Sequence, residues 1–465
     1  MRRRKFVQMG ALSPLLGMPI AYAERKKIFV KNGVEEKARV LEVAGEYDVI
    51  VSGAGPAGVC AAIEAGRNGA KTLLVEVNGC LGGVWTAGLL TWILDQSNKP
   101  GLMREIERSL LEKEGVCKDI DTGGVLSFDA EIMKVLLDDM CMDAGVDVLF
   151  HTRVVSSVKD ENKRLTHIVT ESKSGRQAWK GSVFLDTTGD GDLAALSGCG
   201  FDFGREGDQA LQPFSLLGLL TGVNYDEIKP YSRSAEDSKA GSPSKKRLLG
   251  EIVQGGFNPS YLKPGLYPIR KDMFMIMANH EYGFSPLNVI EVSKATIQAR
   301  KEVNNIVDAL RSNGGIWGNV RLVATGEQIG TREGRRIHGL YTVTKEDLVK
   351  GARFEDAVCR VTFGVDVHSV SHSDEKSSAS GPKKSYNQGI KSKDYDIPMR
   401  ALIAKDVGGL MMAGRCISGD FISHSSYRVT GNAVAMGEAV GQVGAISSKK
   451  NILPQEVDFA KVKRY

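Results

Sequence analysis

Between Tyr47 and Val77 the chain fits an apolar strand, a glycine turn, an alanine-rich helix and a second strand into about 30 residues, the length of one β-α-β unit. Tyr47–Ser52 (YDVIVS) is a β-branched run suited to a buried parallel strand, Gly58–Asn68 reads as the helix, and Lys71–Val77 (KTLLVEV) as the second strand. The turn is Gly53-Ala54-Gly55-Pro56-Ala57-Gly58. In this context each glycine has a mechanical task. Gly53 permits the tight turn, Gly55 lets the backbone approach a pyrophosphate, and Gly58 allows the helix to pack on the strand. The helix N-terminus then offers free N–H groups to phosphate charge, with Pro56 and Ala57 inside the same turn. Glu76 ends the second strand, where a carboxylate can accept hydrogen bonds from ribose hydroxyls. An acid at that position favours an unphosphorylated ribose, hence FAD or NAD rather than NADP.

Three later segments narrow this choice. Cys80-Leu81-Gly82-Gly83-Val84-Trp85-Thr86 follows the ribose carboxylate directly, Asp186-Thr187-Thr188-Gly189-Asp190-Gly191-Asp192 returns after a predicted strand, and Leu410-Met411-Met412-Ala413-Gly414-Arg415 precedes a small-residue helix that Gly431-Asn432-Ala433 opens. Together they resemble the FAD-dependent oxidoreductase family related to glutathione reductase, fumarate reductase flavoproteins and the glucose-inhibited division protein. Within it the chain is most similar to a secreted bacterial branch, some of whose members carry a xanthan-lyase-like label. Ile329–Ile337 and Tyr395–Arg400 belong to the same pattern, which runs from Tyr47 to Ser447.

The resemblance implies FAD as cofactor and assigns positions around it. Gly82, Gly83 and Thr86 are expected near the pyrophosphate and flavin, Arg153 and Val154 beside the adenine, and Thr188, Gly189 and Asp190 near the ribose and pyrophosphate. Gly414 and Arg415 are expected to meet the pyrophosphate–ribityl chain. Asn432 and Ala433 would offer backbone N–H groups to the flavin edge where negative charge grows on reduction. One departure stands out. Many flavoproteins place Gly-Asp at the closing motif, with the acid on the ribityl chain, whereas here Arg415 follows Gly414 and Asp420 comes later.

The expected fold class is α/β: a Rossmann-type FAD-binding domain, with a parallel sheet flanked by helices and a β-meander, and an inserted α+β substrate or cap domain. At 465 residues the chain has room for two or three domains. The expected divisions are a signal peptide (1–23), a lead-in (24–46), the first part of the FAD-binding domain (47–204), the cap (205–398), the second part (399–450) and a tail (451–465). Helices are predicted over Met103–Glu114, Asp129–Asp143, Ile290–Ser312 and Gly431–Ser447. A hairpin region is predicted over Val154–Trp179 and a separate strand over Val183–Asp186. Two Ser/Lys-rich stretches, Tyr231–Arg247 and Ser369–Asp394, read as exposed loops or lids.

Arg3-Arg4 before an apolar stretch, with Ala21-Tyr22-Ala23 as an A-x-A cleavage site, reads as a twin-arginine export signal. The expected location is therefore periplasmic or otherwise exported, with the twin-arginine translocation machinery as a partner. Because that route carries folded proteins, it suits a cofactor loaded in the cytoplasm. Arg2, Arg3, Arg4 and Lys5 contribute four of the formal net charge of +5, so a processed chain stands near +1, which implies neither nucleic acid nor a membrane surface as partner. No later apolar run free of charges reaches the ~18–20 residues of a membrane span. The seven cysteines are scattered without C-x-x-C spacing, so neither a disulfide framework nor a metal site is expected.

No second G-x-G-x-x-G follows a strand, which argues against a dedicated NAD(P)H domain and for direct exchange with a small-molecule substrate and an external electron acceptor. His424, just ahead of the last helix, is the candidate base for a hydroxyl proton while hydride goes to the flavin, with a satisfied structural histidine as the competing reading. Arg428 is the candidate to hold a substrate carboxylate or sugar oxygen, or to balance reduced-flavin charge. Arg332, Glu333, Arg335 and Arg336 are read as a buried ion-pair network joining cap and flavin domains, with substrate binding as the competing reading, His368 as a weaker catalytic candidate and Cys80 as a packed thiol. The expected function is a secreted FAD-dependent dehydrogenase or oxidase acting on a polar, sugar-derived or other small molecule. A flavin monooxygenase, and a non-redox lyase or binding protein retaining the fold, are the alternatives.

Overall fold

Strand β1 (Val43–Ser52) runs through the middle of the main sheet, and Val49, Ile50, Val51 and Ser52 at its end are fully buried. β-Branched residues with parallel neighbours on both sides suit a strand covered on both faces. The computed structural model describes Glu36 and residues 38–375 and 389–462; the predicted export signal, residues 1–23, lies outside them. Leu41–Tyr465 form one compact unit. β1 starts at Val43, so the end of the expected lead-in already belongs to the sheet.

The other strands of this sheet are β2 (Thr72–Val75), β3 (Val146–Leu149), β4 (Arg153–Lys159), β5 (Leu165–Ser172) and β6 (Gly175–Asp186), in the order β3-β2-β1-β6-β5-β4. Leu410–Met412 adds a parallel strand beside the end of β6. Pairing is parallel from β3 to β6 and antiparallel through the β6-β5-β4 meander. The expected break between Trp179 and Val183 does not exist. A Cβ on Gly181 would lie 2.7 Å from the Phe184 ring and 3.0 Å from Ile50, so this glycine sits inside one continuous strand because its neighbours occupy the space.

Helix α1 (Pro56–Arg67) follows the glycine turn, and the C-terminal helix, Thr430–Lys450, packs along it. Contact is backbone to backbone: a Cβ at Gly437 would lie 2.2 Å from the Ala57 carbonyl oxygen, and one at Gly441 2.4 Å from that of Ala61. Larger side chains at these two positions would push the helices apart.

A second, antiparallel sheet is built from β7 (Gly218–Thr221), β8 (Gly265–Arg270), β9 (Met273–Met277) and β10 (Arg321–Thr325), in the order β8-β9-β7-β10. Its residues alternate between two apolar clusters, as a pleated strand requires. Leu220, Leu266, Phe274 and Ile276 face helices α2 (Pro243–Gln254) and α3 (Val289–Ser312). From α3, Val303, Ile306, Val307 and Leu310 meet them at the i, i+3, i+4, i+7 spacing of one helical face. Leu217, Tyr267, Ile269 and Met275 form the opposite face with Trp92. Each fully buried side chain of this size contributes about 1.5–3 kcal/mol.

The expected loop Tyr231–Arg247 is instead largely helical, containing Ala235–Lys239 and the start of α2. Its polar residues are used internally. Ser234 Oγ accepts from the Asp237 N–H at 3.1 Å, Asp237 accepts from the Ser244 N–H at 2.8 Å and pairs with Arg233, and Ser232, Ser234, Asp237 and Ser244 are all buried. In the second polar stretch Ser369 is buried and donates to Glu375 at 2.6 Å, while residues 376–388 lie outside the described ones. Among the described residues no helix is long and apolar enough to cross a membrane. All seven cysteines are free thiols.

Candidate active site

The C-terminal end of β1 opens through the glycine turn into a cavity of about 520 Å³. Gly53 has φ +94°, the left-handed region that favours glycine. A Cβ on Gly58 would stand 1.9 Å from the Gly53 carbonyl oxygen and 2.5 Å from Thr187 Oγ1, which leaves no room for any side chain. Gly55 is different: its Cβ would meet nothing within 4 Å, because that direction is the cavity. Open space beside the first turn of α1 is what an approaching phosphate needs.

The groups around this turn hold one another in place. Glu76 accepts the Ala54 N–H at 2.6 Å and two bonds from Asn78, at 2.8 and 2.9 Å, and lines the cavity with Pro56, Ala57, Arg153 and Val154. Thr188 and Gly189 line it too, their loop ordered by Asp186, whose carboxylate accepts Thr188 Oγ1 at 2.7 Å and the Ala194 N–H at 2.7 Å. Burial raises the Asp186 pKa to about 6 against those bonds. Gly83, Gly414, Arg415 and Ala433 complete this end. Arg415 Nη1 lies 3.0 Å from Asp190 Oδ1, so the arginine of the closing motif is matched by the acid of the Thr188-Gly-Asp loop. Asp420 is a helix cap, accepting the Ser423 N–H at 2.7 Å, and is absent from the lining.

Four other expected contacts are turned away. Gly82 donates its N–H to the Ala54 carbonyl at 2.8 Å and Thr86 its hydroxyl to the Leu81 carbonyl at 2.5 Å, so both brace the turn from behind. Asp190 faces Arg415. Asn432 is wholly buried, and its N–H and that of Ala433 both point at the Val429 carbonyl, at 3.1 and 3.3 Å, rather than standing free.

The opposite wall comes from the second sheet and its connections. Leu217, Tyr267, Met275 and Met277 make it apolar, and Arg233, Lys245, Tyr261, Arg332, Asp366, His368 and Arg428 add polar groups. His368 Nε2 lies 3.3 Å from Asp366 Oδ2. Burial, then the Arg332 charge, lowers the His368 pKa to about 4, so the imidazole is neutral at pH 7. Against the cost of burial, His368, Arg428 and Arg332 hold Asp366 below the usual carboxylate range. Gln212, fully buried, ties the wall together: its amide oxygen accepts the His368 N–H at 2.8 Å and Arg428 Nη2 at 3.1 Å, and it donates to Glu333 at 3.0 Å. His280 stacks on Tyr261 with ring centroids 3.9 Å apart, and its Nε2 lies 3.2 Å from Arg332 Nη2.

The model of the family described as FAD dependent oxidoreductase matches residues 48–465. The chain belongs to that family. FAD is its cofactor, and the residues present fit it: an open cradle at Gly55, a carboxylate at Glu76 for the ribose, and a cavity that continues past the turn. A thiamine thiazole synthase from Aeropyrum pernix is 32% identical over 123 residues, 26% of this chain and 43% of that protein. The chain thus spans less than half the length of this curated relative. Among solved structures, a geranylgeranyl bacteriochlorophyll reductase-like protein from Thermoplasma acidophilum is 13% identical with a TM-score of 0.45, covering 88% of this chain and 80% of that one. The p-nitrophenol 4-monooxygenase PnpA from Pseudomonas putida DLL-E4 is 9% identical with a TM-score of 0.44, covering 88% and 81%. Likeness at these scores carries no argument about chemistry.

In this flavoprotein the sequence-derived base is misplaced. His424 is wholly buried, sits edge-on to Tyr427 at 5.5 Å, and is absent from the cavity lining. Burial, then Arg428, pushes its pKa well below 6.5, so it is a neutral core imidazole. Arg428 does line the cavity, donating to the Asp366 and Arg332 carbonyls at 2.8 and 3.1 Å. The Arg332–Arg336 cluster is not the expected ion-pair network. Arg335 pairs with Asp192 at 2.8 Å, but Arg336 donates to the Gly419 and Gly204 carbonyls, Glu333 accepts from Gln212, and Arg332 faces the cavity. Cys80 lies 3.6 Å from Thr86 Oγ1, outside the lining. Tyr261, Tyr267, Gln212 and Lys245 were missed. None carries a motif, whereas Asp366-Val367-His368 had a readable signal, since alternate residues of an extended segment share a side.

Proposed function

We propose that this protein oxidises a hydroxylated polar small molecule by direct hydride transfer and passes the electrons to an external acceptor. One observation carries the reading: the Asp366–His368 pair lines the same cavity that the dinucleotide turn opens. When bound, FAD supplies the two-electron hydride acceptor; the chain supplies position and proton handling. With its Nε2 beside Asp366, His368 keeps the Nδ1 lone pair for a substrate hydroxyl proton, and Asp366 steadies the imidazolium that forms. Gln212 and Arg428 fix the backbone on either side of that pair. Leu217, Tyr267, Met275 and Met277 keep this wall apolar and restrict water.

We also propose that the protein is exported folded and FAD-loaded, a reading supported by Arg3-Arg4 and Ala21-Tyr22-Ala23. Anaerobic titration of the yellow holoprotein with hydroxylated metabolites tests the chemistry, with bleaching of the flavin band by at least one of them expected. Bleaching by NADPH alone would favour a monooxygenase. Product formation without any bleaching would favour a lyase and end the oxidation reading.

A further inference from the structure

The wall facing the glycine turn carries more positive than negative charge. Arg233, Lys245, Arg332 and Arg428 line it against one carboxylate, Asp366; the other lining acids, Glu76 and Asp192, belong to the dinucleotide end. Arg233 is matched by Asp237 and Arg428 donates to the neutral Asp366 carbonyl, while Arg332 and Lys245 make no ion pair at contact distance among the described residues and feel the Asp366 charge only through space. Arg332 places Nη1 on the Pro213 carbonyl at 2.5 Å and Ser215 Oγ at 3.0 Å, and Nη2 against His280 Nε2 at 3.2 Å. Its Nε–H and a second Nη2–H have no partner among the described residues. The Lys245 ammonium, on α2, likewise has none there. Both side chains are half-buried where they line the cavity, and burial, then Arg233, lowers the Lys245 pKa. A partly desolvated cation without a counter-ion is unfavourable, and an anion in the cavity removes the penalty.

The pyrophosphate of FAD is not that anion. The open side of Gly55 at the N-terminus of α1 would hold it, whereas Lys245 stands on α2 and Arg332 on the segment that follows β10. Resting on the oxidation reading, we propose that the substrate is a hydroxylated carboxylate, its carboxylate held by Arg332 and Lys245 and its hydroxyl presented to His368. A guanidinium with two unpartnered N–H groups suits the two oxygens of a planar carboxylate. Tyr261, on the same wall, adds a hydroxyl for a remaining polar atom. The reaction balances as the loss of a hydride from carbon and a proton from oxygen, giving the oxo acid, with both electrons leaving to an external quinone or dioxygen.

The test uses the FAD-loaded protein and pairs in which an amide replaces the carboxylate, such as lactate against lactamide, glycerate against glyceramide, and gluconate against gluconamide, with glycerol and glucitol as neutral polyols and perturbation of the flavin spectrum as the binding readout. At least one acid is expected to bind tenfold or more tightly than its neutral partner and to weaken as NaCl rises. Lys245→Met is expected to raise that Kd tenfold or more while FAD content and Tm hold; Arg332→Met, which removes structural bonds as well, is the second variant. Equal binding of acid and neutral partner, binding of no acid, or an unchanged Kd in Lys245→Met would overturn the proposal. An acid that binds without bleaching the flavin supports the anion site and overturns the oxidation reading. Neutral polyols that bleach it without any preference for acids do the reverse.

Discussion

The two ends of the cavity are built by different means. The dinucleotide end is made of backbone: three glycines, helix N–H groups and loops tied to Glu76 and Asp186 by hydrogen bonds of 2.6 to 2.7 Å. The substrate end is made of side chains that meet from distant parts of the chain, with Lys245, Tyr261, Arg332, His368 and Arg428 on five separate segments. Backbone geometry forces a residue type at each position, so the first end leaves a fixed spacing in the sequence. Side-chain geometry forces only a place in space, which folding supplies and spacing does not record.

The sharpest way to break this comparison lies within the glycine turn itself. Gly58→Ala puts a Cβ where the Gly53 carbonyl already stands, and is expected to cost more than ~3 kcal/mol and leave little folded protein. Gly55→Val projects into the cavity without meeting protein atoms, so the apoprotein is expected to fold within ~0.5 kcal/mol of the parent apoprotein while FAD content falls below a tenth. Thermal unfolding of the two apoproteins and the flavin absorbance of each preparation separate the outcomes. Normal flavin content in Gly55→Val would show that the phosphate does not sit at this turn.

At the other end the contrast is between two histidines. His368→Gln is expected to keep FAD and lower kcat by ~10²–10⁴-fold, the usual loss when a positioned base is removed. Asp366→Asn should lose less, because it orients the base without receiving the substrate proton. His424→Gln is expected to lower Tm, since it disturbs a fully buried ring packed on Tyr427, while the pH profile of kcat stays as it was. If instead His424→Gln removed the chemistry and His368→Gln did not, the cavity lining would have been assigned to the wrong face of the Phe421–Tyr427 helix.

How much was readable follows from the same division. The β-α-β unit, the helix ending at Ser312 and the helix after Val429 were legible because their residue patterns agreed with tertiary packing, as with the small residues Gly437 and Gly441, which let the last helix approach α1. The Gly181 break and the Tyr231–Arg247 loop were misread for opposite reasons. Glycine in a strand can mark close neighbours rather than a turn, and serines with an aspartate can cap buried helices rather than face water. His424 was attractive because it precedes the last helix closely in sequence. Only the direction of its side chain, which spacing does not encode, removes it from the cavity.

The smallest expected effect is also a test of both ends at once, because their buried acids and bases titrate with opposite sign. His368 has a folded pKa of about 4 against 6.5 when unfolded, so between those values the unfolded chain binds the proton more readily. Its contribution to stability is therefore complete above pH 6.5 and is lost as pH falls toward 4, with a slope of at most ~1.4 kcal/mol per pH unit. Asp186 runs the other way: its folded pKa is raised from 3.8 to about 6, so its contribution is complete below 3.8 and is lost as pH rises through 6. Between pH 4 and 6 the two slopes oppose each other and the wild-type stability changes less than either alone would require. Removing one should expose the other. Denaturant unfolding across pH 4 to 7 is expected to show His368→Gln losing less stability on acidification than the parent, and Asp186→Asn losing more. Parallel curves for parent and His368→Gln would mean that His368 titrates as an ordinary imidazole, and the lowering of its pKa by burial and Arg332 would have to be given up.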